Sequence, residues 1–202
     1  MDRLRRALVL IGMLLAGPRA AYADFFVVPL VGMKFGGSTS IVDFEQAAGT
    51  RKLVLGIAAR KVDDRIIGYE VEFANIAGFF ANDEVAAIDG PLVKPGSYVN
   101  DLTGGVVLSL PPGVTGGGLR PYAVIGAGLI HAQSEDAFDV IKVRRTVAAF
   151  NIGVGAVGMI TDSVGVRFDL RHLRSMTADA PTGGVGHQIA YSRFTVGLLL
   201  RP

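Results

Sequence analysis

The stretch FNIGVGAVGMITDSVGVRFDLRHL, from Phe150 to Leu173, decides the fold because it can be interpreted in two incompatible ways. Residues 153–158 have the spacing G-x-G-x-x-G, which in a βαβ unit cradles a dinucleotide pyrophosphate where a helix begins. On both sides of residues 161–163 (TDS), however, apolar side chains alternate with small or charged ones, as in a β-hairpin. Since the second alternating segment begins immediately after that turn, no helix can follow the glycines. The stretch therefore predicts two strands and a tight turn.

The same alternation extends along the chain from Asp24 onward. In the hairpin, Val166, Phe168 and Leu170 share one face of their segment, while Arg167 and Asp169 share the other. Period 2 is typical of strands, and no segment shows a sustained helical period. The eight segments are approximately residues 25–36, 52–62, 65–79, 98–110, 119–132, 146–160, 164–174 and 192–201.

The connections between these segments alternate in length. Residues 63–64, 111–118 and 161–163 are tight or rich in glycine and proline. The other four are longer and more polar: 37–51, 80–97, 133–145 and 175–191. Short turns at one end and long loops at the other are typical of a meander whose two ends face different compartments. No linker divides the chain, so residues 24–202 are predicted to form one all-β domain.

The N-terminus has the features of a secretory signal peptide. Arg3, Arg5 and Arg6 precede an apolar run of about ten residues, and residues 21–23 (AYA) form a small-residue cleavage site. The run is too short for a spanning helix, which needs roughly 20 apolar residues. We predict that residues 1–23 are removed on export through the inner membrane. Because they hold four arginines and one aspartate, the net charge then falls from +2 to −1.

Composition excludes several classes of protein. The chain has no cysteine, which excludes disulfides, thiolate metal sites and cysteine nucleophiles. The remaining Lys and Arg residues form no concentrated basic stripe, so no nucleic-acid partner is predicted. Half of the residues are hydrophobic, only 19% are charged, and the mean hydropathy is +0.43. The strands of a soluble sandwich or a lipocalin-like binder also alternate apolar and polar side chains. Here the charged residues are isolated among Gly and Ala, which favours a membrane barrel with its apolar face outside.

Two further stretches carry a family resemblance. Residues 119–132 (LRPYAVIGAGLIHA) and the hairpin of 150–173, with the leader and the eight segments, resemble the small eight-stranded outer-membrane barrels of the OmpA-transmembrane-domain and OmpX type. The resemblance implies an antiparallel up-and-down transmembrane barrel in the cell outer membrane. It also implies contact with outer-membrane lipid, lipopolysaccharide and the outer-membrane assembly machinery. The final residues, Leu199 to Pro202, depart from the terminal aromatic residue of such barrels.

A barrel of eight strands has an interior just wide enough to be filled by side chains. The alternation places four cations and four anions inside, which predicts a salt-bridged lumen that is densest between the third and seventh segments. Inward Gly153 and Gly155 are expected to make room for large charged side chains opposite. The predicted lumen residues are Lys34, Arg60, Arg167 and Arg171 with Glu70, Glu72, Asp101 and Asp169.

Aromatic residues near segment ends suit girdles at the two membrane interfaces, although buried aromatics of a soluble core would look similar. The candidates are Phe25, Phe79, Tyr98, Tyr122 and Tyr191.

The sequence contains few candidates for catalysis or metal binding. His131, His172 and His187 lack the H-x-x-x-H or H-E-x-x-H spacing of a metal site, so no metal or cofactor is predicted. His131 with Ser134 and Glu135, or His172 with Ser175, could form the Ser/His/acid set of a lipid A-modifying enzyme, but ordinary loop residues explain them equally well.

We therefore predict no catalytic residues and a structural or surface-interaction role, with an extracellular ligand of the long loops left open. The alternatives are a minor porin or hydrophobic-solute conduit and, after these, a lipid A-modifying enzyme or a soluble lipocalin-like binder.

Overall fold

The structure, a computed structural model, describes residues 24–39, 51–62, 66–79, 97–115, 118–135, 142–176 and 188–202. One short helix, α1, spans Pro112–Thr115. No helix in these ranges is long and apolar enough to cross a bilayer. The strands are β1 (Asp24–Thr39), β2 (Lys52–Val62), β3 (Ile67–Ala77), β4 (Tyr98–Ser109), β5 (Arg120–Glu135), β6 (Lys142–Met159), β7 (Val164–Ser175) and β8 (Ile189–Leu200).

The eight strands form one closed, antiparallel up-and-down barrel in which sequence neighbours are also spatial neighbours. β1 closes the barrel by pairing with β8, for example at Val31 and Val196. Closure removes the free edges of the sheet, so backbone N–H and C=O groups of the wall pair within the protein, as hydrocarbon surroundings require. The fold class predicted from the alternation is confirmed.

The stretch from Phe150 to Leu173 is a β-hairpin. β6 runs into a tight turn at residues 160–163, in which the Ile160 amide donates to the Val164 carbonyl over 2.8 Å. The Thr161 hydroxyl oxygen accepts a hydrogen bond of 3.0 Å from the Val164 amide. Because a strand follows the glycines at once, the dinucleotide interpretation is excluded. This turn and the β2–β3 and β4–β5 connections lie at one end of the barrel, the short-turn end; the opposite end is the long-connection end.

Towards the middle of the barrel, the two faces of the strands have opposite chemistry. On β3, Ile67, Tyr69 and Val71 point outward with 51%, 61% and 55% of their surfaces exposed, whereas Glu70 and Glu72 are buried. Leu, Ile, Val and Phe side chains cover the outside of the other strands in the same way. Exposing so much apolar surface to water would be costly, so the arrangement suits a hydrocarbon environment.

Four predicted strand boundaries are wrong by three or four residues. β1 continues to Thr39, beyond its predicted end at residue 36. β5 continues to Glu135 and β6 already begins at Lys142, so most of the connection predicted at residues 133–145 is a paired hairpin. β8 begins at Ile189, three residues before the predicted start. The charged residues of the β5–β6 hairpin interrupt the apolar alternation, but pairing with a neighbouring strand depends on backbone hydrogen bonds and does not need an apolar side chain.

Candidate functional site

The charged side chains of the spanning strands converge in the barrel interior. Glu70 and Glu72 come from β3, Asp101 from β4, and Arg167 and Asp169 from β7, each no more than 3% exposed. Successive side chains of a strand point to opposite faces. These charged side chains point inward because their sequence neighbours form the apolar outer surface. Arg60 of β2 and Arg171 of β7 are buried beside them.

Ion pairs cross the lumen from β3 to β7, which are separated by three strands in either direction around the barrel. Arg167 Nη1 lies 3.0 Å from Glu70 Oε2, and Arg167 Nη2 lies 2.8 Å from Glu72 Oε2. Arg171 Nη2 binds Glu70 Oε1, and its Nε lies 2.7 Å from Asp169 Oδ1. Each of the central groups therefore contacts two or more opposite charges, which offsets much of the cost of burial.

Arg193 of β8 also belongs to this network, although it was not among the predicted residues. Its Nη1 lies 2.8 Å from Asp101 Oδ2, and its Nη2 binds Glu72 Oε1. Phe194 and Leu198 point outward on β8, so the residue next to Phe194, Arg193, must point inward. The alternation in the sequence could therefore have identified Arg193. The network consists of four arginines and four carboxylates: Arg60, Arg167, Arg171 and Arg193 with Glu70, Glu72, Asp101 and Asp169.

Lys34, the remaining predicted lumen residue, is buried nearer the long-connection end. Its Nζ lies 4.2 Å from the centre of the Phe79 ring, a cation–π geometry. The Phe79 ring in turn makes an edge contact with Tyr191, with 5.4 Å between ring centroids. The structure thus places Lys34 inside the barrel, where the Phe79 and Tyr191 rings lie between it and the ion network.

Two tyrosines complete the network. The Tyr191 hydroxyl donates to Asp101 Oδ2 over 2.7 Å, and the Tyr122 hydroxyl donates to Asp169 Oδ2 over 2.5 Å. Arg167 Nε donates to the Tyr122 oxygen over 2.9 Å. The Arg60 guanidinium lies over the Tyr122 ring, 4.0 Å from its centre. The Tyr122 oxygen gives the buried Arg167 Nε an acceptor, and both hydroxyls add a donor to carboxylates that also pair with arginines.

The predicted interfacial role of three aromatics is wrong, because Phe79, Tyr122 and Tyr191 point into the barrel and are at most 4% exposed. Position near a strand end does not determine whether a side chain points into the barrel or outward. The alternation of side chains along the strand determines it. Phe25 is 43% exposed on the outside, and Tyr98 is half-buried.

Apolar clusters lie at both ends of the charged layer. At the long-connection end, Val54, Ile76, Phe79, Val99 and Tyr191 belong to one buried cluster. At the short-turn end, smaller clusters contain Phe26, Val28, Leu30 and Leu199, and Val107, Tyr122 and Val124. The described interior is therefore a charged layer between two apolar layers, an arrangement that opposes the passage of water and ions.

The inward glycines of β6 make room for this packing. A Cβ atom on Gly153 would lie 2.7 Å from Cγ of Arg171, and one on Gly155 would lie 2.5 Å from the Tyr122 hydroxyl oxygen. Such contacts are shorter than carbon side chains tolerate, so any larger residue would displace the ion network. The glycines of the G-x-G-x-x-G spacing thus serve packing.

The histidines do not assemble a recognisable catalytic set among the described side chains. His131 Nδ1 lies 2.8 Å from Thr146 Oγ1, and the side chains of Ser134 and Glu135 lie outside the described part of the structure. His172 is exposed on the outer face of β7, whereas Ser175 is buried on the inner face. Opposite faces of one strand cannot bring a base to a nucleophile. His187 lies outside the described residues, among which no group of three metal-ligating side chains occurs.

Comparisons with known proteins agree with this geometry. No protein-family model and no curated protein matches the sequence. Among solved structures, Neisserial surface protein A is 13% identical with a TM-score of 0.63, over 90% of this chain and 100% of that one. OprG of Pseudomonas aeruginosa (14%, TM-score 0.55) covers 91% of this chain and 98% of its own. Ail of Yersinia pestis, in complex with the heparin analogue sucrose octasulfate, is 14% identical with a TM-score of 0.52 over 90% and 100%. The chain therefore has the fold of the small eight-stranded outer-membrane β-barrels, as its sequence resemblance predicted.

Proposed function

We propose that this chain is an outer-membrane β-barrel with a sealed, salt-bridged interior and a structural or surface-interaction role. The observation that carries the proposal is the interior itself, where eight charged side chains bridge β3, β4, β7 and β8 with Arg60 of β2. An ion-conducting lumen needs mobile charges and water, whereas these charges are held by one another. The barrel wall then serves as a membrane anchor that holds the connecting loops at the cell surface.

The location in the outer membrane is supported by the apolar outer surface and by the predicted signal peptide at residues 1–23, which lies outside the described residues. Export through the inner membrane would deliver residues 24–202 to the outer-membrane assembly machinery. Outer-membrane lipid and lipopolysaccharide would then contact the barrel wall. An extracellular ligand would bind to the long connections, which lie largely outside the described residues. The role we propose is non-enzymatic and needs no cofactor.

A minor porin or hydrophobic-solute conduit is the second candidate, because the fold is shared with membrane barrels. It predicts a continuous path, which the apolar layers above and below the charges oppose. Val54, Ile76 and Val99 crowd the lumen at one end, and Val28 and Leu199 do so at the other. We therefore favour the structural role.

Planar bilayers containing the purified full chain test the sealed interior. We expect no sustained ionic current, because the lumen charges are paired across the barrel and flanked by apolar side chains. A Glu70→Gln variant that still forms a closed barrel serves as the comparison. Sustained current in the wild type that changes with Glu70→Gln would favour the porin candidate and contradict the sealed lumen.

Fractionation of cells that express the full chain tests the location. We expect the protein in the detergent-extractable outer-membrane fraction, where the closed barrel migrates faster on a gel before heating than after it. The shift arises because a closed barrel is more compact than the unfolded chain. Recovery of the protein as a soluble periplasmic species would contradict the proposed location and favour a lipocalin-like binder.

A further inference from the structure

One side of the outer surface changes from apolar to polar at the long-connection end. Four outward side chains lie side by side on β3 to β6, as the strand register shows: Asn75 opposite Asn100, Asn100 opposite His131, and His131 opposite Thr146. In the next row, Tyr98 lies opposite Gln133, which lies opposite Arg144. We call these seven residues the polar panel: Asn75, Tyr98, Asn100, His131, Gln133, Arg144 and Thr146.

Hydrogen bonds within the polar panel hold its neutral side chains in place. The Asn75 amide donates to the Asn100 oxygen over 2.6 Å, and the Tyr98 hydroxyl donates to the Gln133 oxygen over 2.8 Å. The Tyr98 and His131 rings have their centroids 6.4 Å apart. A surface whose side chains are already ordered loses less conformational entropy when it binds a partner.

The position of the polar panel indicates its partner. The row directly beneath it consists of Phe73, Leu102 and Leu129, which lie opposite one another in the register and are 43%, 49% and 51% exposed. These apolar side chains suit contact with acyl chains, so the panel lies where lipid headgroups begin. On β1 and β2, Met33 and Leu53 remain apolar at the equivalent end, 52% and 55% exposed, whereas β7 carries the exposed His172 and Arg174 there.

The charge of the polar panel favours an anionic headgroup. Arg144 is exposed, and a guanidinium binds phosphate through paired hydrogen bonds. Of the acidic side chains that the structure describes, four lie in the lumen and Asp162 lies at the short-turn end. Glu135 follows Gln133 by two residues on β5, beyond the panel and opposite Lys142 in the register. The amide, hydroxyl and imidazole groups beside Arg144 can bond sugar hydroxyls.

We propose that the polar panel binds the headgroup of a phosphorylated glycolipid in the outer leaflet, with Arg144 on a phosphate and the accessible neutral residues, Asn75, Asn100, His131 and Thr146, on the sugar. This inference rests on the proposed outer-membrane location. It adds one defined lipid site, on the β3 to β6 side, to the general contact between barrel and membrane.

The full chain, refolded into phosphatidylcholine vesicles, provides the test. The vesicles contain either lipid A with its phosphates or the same lipid A after dephosphorylation. After mild detergent extraction, mass spectrometry measures the lipid A retained on closed, heat-modifiable barrels. We expect preferential retention of the phosphorylated form and about five-fold less of it on Arg144→Gln, because one exposed charge-assisted contact is lost. Arg144→Lys should retain at least half of the wild-type amount.

Arg51→Gln is the matched control, since Arg51 is exposed at the same end of the barrel but flanks β2, on the side opposite β6. It should leave retention unchanged. Equal losses with Arg51→Gln and Arg144→Gln would overturn the panel in favour of diffuse attraction, and equal retention of both lipid A forms would overturn phosphate recognition. Displacement by soluble glucosamine phosphate would indicate a free saccharide as the partner. Failure of the outer-membrane location itself would show separately, in fractionation of the cells.

Discussion

Arg193→Ala is expected to lower the free energy of unfolding of the barrel by about 3–5 kcal/mol. The guanidinium lies between two carboxylates, Asp101 and Glu72, and is itself only 1% exposed. Its removal leaves Asp101 buried with a hydrogen bond from the Tyr191 hydroxyl but without its arginine, and the four carboxylates of the ion network then outnumber its three remaining arginines. Urea unfolding of vesicle-reconstituted protein, followed by heat-modifiable migration, measures the change.

Three variants make the Arg193 result specific. Arg174→Ala removes a guanidinium from the exposed outer face of β7 and should change stability by less than about 1 kcal/mol. Adding Asp101→Asn to Arg193→Ala restores equal numbers of arginines and carboxylates in the ion network, three of each, so it should recover part of the loss. The Asp101→Asn single variant completes the comparison. If the double variant lost as much free energy of unfolding as Arg193→Ala and Asp101→Asn lose together, the pairing of Arg193 with Asp101 would contribute nothing to stability.

Gly128→Ala is expected to destabilise the barrel by about 3 kcal/mol, the upper end for overpacking. A Cβ atom there would lie 2.0 Å from the Leu102 carbonyl oxygen and 2.7 Å from Cα of Thr103. Both are backbone atoms of β4, which cannot move aside as a flexible side chain can. The β4–β5 pairing would have to shift, and closure of the barrel depends on it. The measurement is the closed-barrel fraction after refolding, with its urea midpoint.

Gly104→Ala is the matched control, because Gly104 lies on the adjoining strand and a Cβ atom there meets nothing within 4 Å. The two variants make the same chemical change and differ in the space available. Gly104→Ala should therefore refold as the wild type does. Similar losses in both variants would show that backbone flexibility, and not the close approach of β4 and β5, is what glycine supplies.

The strands, and which of their side chains point inward, were predictable because both depend on the alternation of apolar and polar residues along the chain. Phe168 and Leu170 alternate with Arg167 and Asp169, and the structure places the first pair outside and the second inside. The β5–β6 hairpin was predicted too short because Arg144 and Arg145 interrupt that pattern, although their backbones still pair with Gln133 and Ala132. Local pattern therefore identifies the strands better than it identifies where they end.

The sequence by itself determined the class of the fold and which side chains of each strand point inward, because both follow from the period of two in a strand. Only the tertiary structure decided which inward charges meet. Arg167 contacts Glu70 and Glu72 across the lumen, and Arg193 contacts Glu72 from β8. Those contacts depend on how far each strand is shifted against its neighbours when the barrel closes, because that shift sets the heights at which side chains of different strands meet in the lumen. No alternation within one strand contains this information.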